Sequence, residues 1–334
     1  MPGLSRREFL KRTVAAGAIG GMVLSGADKL GAAEAAAGQF GTFIDLTRCD
    51  GCKDLETPRC VSACRREKTP QFPQPAEHIE YYWPRKKKED WSGKKQLTNR
   101  LTPYNWSFVQ TVKVEHQGEV REIHLPRRCM HCDNPPCANL CPFGAQSKSP
   151  EGPVLINKEL CLGGAKCRDV CPWGIPARQA GVGLYMKIAP KYLGAGVMYK
   201  CDLCYSRITA GRPPACVESC HKKAVVFGEK EEMRALAHQK ARKIGGFIYG
   251  ETENGGTSTF YVSPVPFTKI HKQLMDQKAE QPVPDAPGFP GMPPGVDNFL
   301  NTANGAALGM LVAPVAGVVA AGFAAYKTMK GEKQ

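Results

Sequence analysis

The sequence predicts an α+β body assembled from tandem cysteine-loop units with inserted loops, followed by one C-terminal transmembrane helix. Three observations predict it. All 15 cysteines of the 334-residue chain fall into four short groups. Short strand-like runs lead into those groups and helix-like runs lie between them. Near the C-terminus, Ala306 to Tyr326 is a stretch of 21 residues without a charge, just long enough at about 1.5 Å per residue to cross a bilayer core.

The elements follow in chain order. The N-terminus reads Ser5-Arg6-Arg7-Glu8-Phe9-Leu10-Lys11, then an uncharged run from Thr13 to Ala27 and alanine-rich sequence to Ala37. Arg6 and Arg7 mark residues 1–37 as a twin-arginine signal, an address for exporting a chain that has already folded. That route suits a protein that acquires its cofactor in the reducing cytosol. The expected location is the periplasmic face of the cytoplasmic membrane. Residues 38–280 form the expected body. Gly41 to Leu46 and Pro153 to Asn157 read as short strands, and Ser107 to Leu125 as a hairpin turning at Gln117-Gly118. Glu229 to Lys243 reads as a charged helix closed by Gly245-Gly246. Gln281 to Asp297 holds six prolines and three glycines in 17 residues. It opens a semi-extended linker over 281–303. The anchor spans 304–326, where Pro314 is tolerated and the spacing of Gly305 and Gly309 lets another helix approach. Lys327, Lys330 and Lys333 in the tail 327–334 place the C-terminus in the cytoplasm.

The cysteine groups carry the chemistry. They are Cys49-x2-Cys52-x7-Cys60-x3-Cys64, Cys129-x2-Cys132-x4-Cys137-x3-Cys141-Pro142, Cys161-x5-Cys167-x3-Cys171-Pro172, and Cys201-x2-Cys204-x11-Cys216-x3-Cys220. This is one pattern repeated with a variable middle. A tight loop presents three thiolates to one iron–sulfur core. The fourth, three residues on at a helix start, points to the neighbouring core, as in the bacterial C-x2-C-x2-C-x3-C-P run. The following proline fits a first helical turn. In the third group the middle position is Gly164, so one thiolate is missing there. Zinc ligation would explain the C-x2-C pairs but not the recurring C-x3-C or the two Cys-Pro steps. An odd count excludes complete disulfide pairing.

The chain resembles the four-cluster ferredoxin-type iron–sulfur (beta) subunits of membrane oxidoreductases over roughly residues 40 to 270. The nearest likeness is the iron–sulfur subunit of hydrogenase-2-type nickel–iron hydrogenases, to which Ile248-Tyr249-Gly250-Glu251 and Val265-Pro266-Phe267 also correspond. Beta subunits of formate dehydrogenase N and of dimethyl sulfoxide or polysulfide reductases share the core. The resemblance implies a crossed ligand scheme. Cluster 1 takes Cys49, Cys52, Cys60 and Cys220; cluster 2 takes Cys64, Cys201, Cys204 and Cys216. Cluster 3 takes Cys129, Cys132, Cys137 and Cys171; cluster 4 takes Cys141, Cys161 and Cys167 and lacks a thiolate at Gly164. An outer unit would then form from 40–70 with 198–228, and an inner unit from 125–180. The implied cofactors are three [4Fe-4S] clusters plus one [3Fe-4S] or atypically ligated [4Fe-4S] cluster. The implied role is electron transfer, without a substrate site of its own. Its partners are a catalytic subunit, of hydrogenase or molybdopterin type, and a multi-span quinone-reactive membrane subunit. Cys64-Arg65 and Cys220-His221 depart from the Cys-Pro pattern.

Composition agrees. With 42% hydrophobic and 23% charged residues, wholesale disorder is excluded. The formal charge of +14 admits an anionic surface or nucleic acid as partner. Anionic clusters held inside the protein account for much of it, so no nucleic acid is expected. A basic zinc module binding nucleic acid or lipid is the remaining reading from another class. Arg85-Lys86-Lys87-Lys88 reads as a solvated loop or subunit contact, flanked by Trp83, Trp91 and Trp106 as packing or interface residues. His131 and His221 adjoin cysteines and are candidates for tuning a cluster or completing the fourth ligand set.

Overall fold

A computed structural model describes residues 38–76, 79, 89–188, 194–281, 288–312, 315 and 318. Residues 1–36 and 37–334 separate into two units, and only the second contains described residues. Arg6, Arg7, Trp83, Arg85 to Lys88, most of the expected span 304–326 and the tail 327–334 lie outside them. Among the described residues no helix is long and apolar enough to cross a membrane.

In chain order the elements are β1 (Phe40–Asp45), α1 (Arg59–Lys68), β2 (Phe108–His116), β3 (Glu119–Arg127), α2 (Pro136–Asn139), β4 (Gln146–Lys148), β5 (Val154–Ile156), α3 (Lys166–Asp169), β6 (Ala177–Gln179), α4 (Tyr185–Ile188), β7 (Val197–Tyr199), α5 (Tyr205–Ile208), α6 (Ala215–Glu218), β8 (Val225–Glu229), α7 (Lys230–Ile244), β9 (Phe247–Tyr249), β10 (Thr259–Ser263) and α8 (Phe267–Ala279). The expected α+β body is therefore present.

β1 lies inside a four-stranded sheet of order β8-β1-β10-β9, antiparallel to β8 and parallel to β10. Its two faces do different work. Phe43 joins Phe260, Val262 and the stripe Met233, Ala237, Ala241 of α7 in one apolar cluster. Those three helix residues recur every four positions, which turns one apolar face to the sheet. Ile44 on the other face joins the cysteine-rich core with Val225 and Tyr261. Gly245 ends α7 in a left-handed cap at φ 59°, its N–H bonding Ala241 and Arg242 carbonyls. The hairpin β2–β3 pairs Phe108 with Arg127 through His116 with Glu119. Gln117 and Gly118 both have positive φ, 55° and 78°, the signature of the turn that matches strand twist.

Two short ladders, β4–β5 and β6–β7, flank the third cysteine group in the chain. Gly196, at φ 130°, sits where any Cβ would lie 1.9 Å from the Gln179 carbonyl oxygen, so only glycine lets β6 and β7 approach. Glu89, in the segment before β2, ties β6 to α3. Arg168 donates to both its oxygens at 2.7 Å, and Arg178 donates at 2.8 Å. Removing this carboxylate takes an ion-pair partner from Arg168 and from the buried Arg178. We expect Glu89→Ala to destabilise the body by about 3–5 kcal/mol, measured by anaerobic urea unfolding; an unchanged midpoint would refute the dependence.

The proline-rich stretch makes contacts with the body. Over 288–298 it has no helix or strand and lies along the body, and Phe299–Asn301 form a short 3-10 turn. The Gly288 carbonyl accepts from Leu101 N–H at 3.0 Å, Met292 N–H donates to His271 Nδ1 at 3.1 Å, and the Val296 carbonyl accepts from Asn254 N–H at 2.7 Å. Met292 is buried. Apolar residues between the prolines supply the contacts that composition alone does not reveal. Trp91 and Trp106 are buried, in keeping with the packing reading.

Candidate metal centres

Each cysteine group turns through left-handed backbone. The residues are Gly51 and Cys52 in the first, His131 in the second, Gly163 and Ala165 in the third, and Leu203 and Cys204 in the fourth. For residues with side chains this conformation costs on the order of 1–3 kcal/mol each. Successive N–H groups in such turns face one concavity, a receptor for an anion. N–H groups do point at sulfur here. Met198 N–H donates to Cys161 Sγ at 3.3 Å, Leu203 N–H to Cys201 at 3.4 Å, and Ala224 N–H to Cys220 at 3.3 Å. The buried side chain of Asn254 donates to Cys132 Sγ at 3.2 Å.

The thiols gather from distant segments. Cys49, Cys52, Cys60 and Cys220 line one cavity. Cys64, Cys201, Cys204 and Cys216 line a second, with Arg128 and Lys68. Burial raises the Cys132 thiol, and its neighbours Cys137, Cys171 and Cys129 add to the effect. Burial also raises Cys167, followed by the fields of Cys161, Cys137 and Cys141. All fifteen are free thiols. The first and second cavities share α1, which is held to the fourth group by Lys68–Asp202 at 2.8 Å and Arg207–Glu67 at 3.2 Å. The groups form a row of neighbours. Cys216 acts on both Cys60 and Cys64, Cys129 acts on Cys201, and Cys137 acts on Cys167.

The donor set fits an iron–sulfur core. Burial pushes Cys49 and Cys201 up to about 11 and Cys204 up to about 12, so these thiols stay protonated unless a metal takes the proton's place. Soft thiolates in fours suit iron–sulfur chemistry. The Nη1 of Arg128, in the wall of the second cavity, is buried without a hydrogen-bond partner. An orphaned buried guanidinium N–H calls for an anion.

The two histidines sit away from Gly164. His131 is fully buried, and its Nδ1 accepts from Val154 N–H at 3.0 Å. A neutral ring therefore carries its proton on Nε2, which faces Cys201 Sγ at 3.7 Å. His221 Nδ1 lies 3.9 Å from Cys52 Sγ and its Nε2 3.2 Å from Asp50 Oδ2. At Gly164 a Cβ would meet nothing within 4 Å. Sequence reading missed Arg128, Lys200 and Asn254 as cluster neighbours. One signal was available: Arg48, Arg128 and Lys200 directly precede the first cysteine of three groups, and Leu160 precedes that of the group lacking a thiolate.

Comparison with known proteins agrees with this geometry. Families described as 4Fe-4S dicluster domains match residues 48–145 and 120–230. The probable anaerobic dimethyl sulfoxide reductase chain YnfG of Escherichia coli K12 is 33% identical over 197 residues, 59% of this chain and 76% of the relative. The chain belongs to the four-cluster ferredoxin-type iron–sulfur electron-transfer subunits. The iron–sulfur subunit is also similar to the hydrogenase-2 operon protein HybA of E. coli O157:H7, 28% identical over 274 residues, 72% of this chain and 74% of the relative. A protein of Nitratidesulfovibrio vulgaris is 29% identical over 308 residues, 90% of this chain and 75% of its own. As an electron-transfer subunit, the chain uses its loops to hold clusters at fixed spacing and to set their potentials through burial, charge and N–H···S bonds.

Proposed function

We propose that this subunit carries three [4Fe-4S] clusters and one [3Fe-4S] cluster, ligated in the crossed scheme above, with the three-thiolate set of Cys141, Cys161 and Cys167 holding the last. The clusters supply one-electron exchange; the chain spaces and insulates them. The observation that carries the reading is the row of four thiol groups, each drawn from separated segments and each with a thiol acting on the next. The chain has no catalytic site of its own in this reading. It passes electrons between a periplasmic catalytic subunit and a quinone-reactive membrane subunit. A hydrogenase partner is favoured because the HybA match spans 72% of this chain against 59% for YnfG. The YnfG relative supports a molybdopterin partner as the second reading.

Export follows the twin-arginine signal at Arg6 and Arg7, and residues 304–326 anchor the C-terminus. Support for the anchor comes from the helical residues 303–312 with 315 and 318, where Met310, Leu311, Val315 and Val318 are exposed apolar side chains. A methyl group on Gly309 would touch Leu140 Cδ2 at 3.8 Å, next to Cys141. That contact supports the three-thiolate set as the membrane-side end of the row, which leaves the Cys49 end for the catalytic partner in this reading.

Iron and sulfide analysis of the purified chain tests the reading. We expect about 15 irons with matching sulfide and a three-iron EPR signal in the oxidised state. Zinc without sulfide would overturn it, and the proteins that copurify distinguish hydrogenase from molybdopterin partners.

A further inference from the structure

Arg128, Lys200 and His131 lie together between the second and third thiol groups. All three are buried. Arg128 donates to Thr42 Oγ1 at 2.5 Å through Nη2, while Nη1 is orphaned in the wall of the cavity lined by Cys64, Cys201, Cys204 and Cys216. Lys200 Nζ donates to the carbonyls of Val154 and Cys201, the latter at 3.2 Å. Among the described residues no carboxylate lies within 4 Å of either cation. Two buried cations without a carboxylate are costly unless another anion answers them. Cys129, Cys137, Cys201 and, beyond salt-bridge distance, the Asp202 carboxylate lie within electrostatic reach of the Lys200 ammonium.

We infer that Arg128 and Lys200 are positioning residues that raise the reduction potentials at the junction of the two units. Arg128 acts on the cluster held by Cys64, Cys201, Cys204 and Cys216. Lys200 acts on that cluster and on its neighbour held by Cys129, Cys132, Cys137 and Cys171. His131 adds an Nε2–H donor toward Cys201. The physical basis is that an added electron makes a cluster more negative, so a fixed buried cation favours the reduced form. The middle of the row is then its most electron-retaining part. This inference rests on the ligand scheme proposed above.

EPR-monitored potentiometric titration of the full chain, purified with its partners, tests it. Arg128→Met should lower one midpoint by at least a tenfold change in the oxidised-to-reduced ratio at fixed potential, about 59 mV for one electron. Arg128→Lys should restore most of that shift. Lys200→Met should lower two midpoints, one of them the same. Cys201→Ser identifies the signal concerned. If Cys201→Ser alters one signal and Arg128→Met leaves that midpoint in place with full iron, the inference fails and the ligand scheme stands. If Arg128→Met moves a signal that Cys201→Ser leaves intact, the ligand scheme fails and the inference falls with it. Should Arg128→Met not assemble, Lys200→Met decides: unmoved midpoints with full iron overturn the inference.

Discussion

Stripping iron from the purified chain under anaerobic conditions should unfold it. The interior is built around the thiol groups rather than closed over them. Arg128 and Lys200 are buried with no carboxylate within salt-bridge distance among the described residues, so loss of the anionic cores leaves two charges uncompensated. Each such charge costs several kcal/mol. The left-handed Cys52, His131, Ala165, Leu203 and Cys204 add on the order of 1–3 kcal/mol apiece once nothing holds those loops. A domain of this kind is stable by only about 5–15 kcal/mol, so these penalties together exceed the margin. Far-UV circular dichroism and limited proteolysis after chelation should both report loss of the sheet. A cooperative, native-like melt from protein shown to be free of iron would refute the expectation. The hairpin β2–β3, far richer in Val112, Val114, Ile123 and Leu125 than in cysteine, is the part expected to retain structure longest.

Gly164→Cys should convert the three-thiolate set into a complete one. Nothing lies within 4 Å of a Cβ at this position, and its backbone is not among the left-handed glycines. A thiol is therefore admitted without strain. Iron should rise from about 15 to about 16 per chain, and the three-iron signal of the oxidised protein should vanish. Ligand changes of this order move cluster potentials by roughly hundreds of millivolts, so electron exchange through this cluster should change. Gly164→Ala is the control: it enters the same open space and should leave iron content and spectrum as they are. Persistence of the three-iron signal in Gly164→Cys would mean that the new thiol does not reach the core.

The sequence was most informative where local chemistry decides structure. The cysteine groups, β1, the Gln117-Gly118 turn and the Gly245 cap are each set by a few adjacent residues. Fold features that depend on distant partners left little local trace. Thr42 and Thr259, whose hydroxyls lie 3.3 Å apart, are separated by 217 residues, so the parallel pairing of β1 with β10 could not be read from either strand. The three-residue strands β4, β6 and β7 are too short to show a period. Arg128 and Lys200 appeared only as part of a net charge, because burial of a cation is not visible in composition. His131 and Asn254 adopt left-handed backbone without being glycine, a conformation their neighbours impose. The second-cavity partners Cys64 and Cys201 illustrate the limit: spacing identifies them as ligands, but only the resemblance suggested that they meet.

The pairing of β1 with β10 also orders events in time. Contacts within the middle of the chain close short loops, such as that between His131 and Val154, 23 residues apart. The sheet that completes the outer set closes one of 217. By loop-closure entropy the longer closure costs roughly 2 kcal/mol more, and it cannot begin until the ribosome has passed residue 259. The first cysteine group therefore emerges well before its partners in the fourth group exist. During synthesis the nascent chain is a completed centre flanked by thiols waiting for the other end. Cluster insertion into the outer cavities therefore cannot precede the emergence of Cys220, and the waiting thiols need a protected, reducing environment until then.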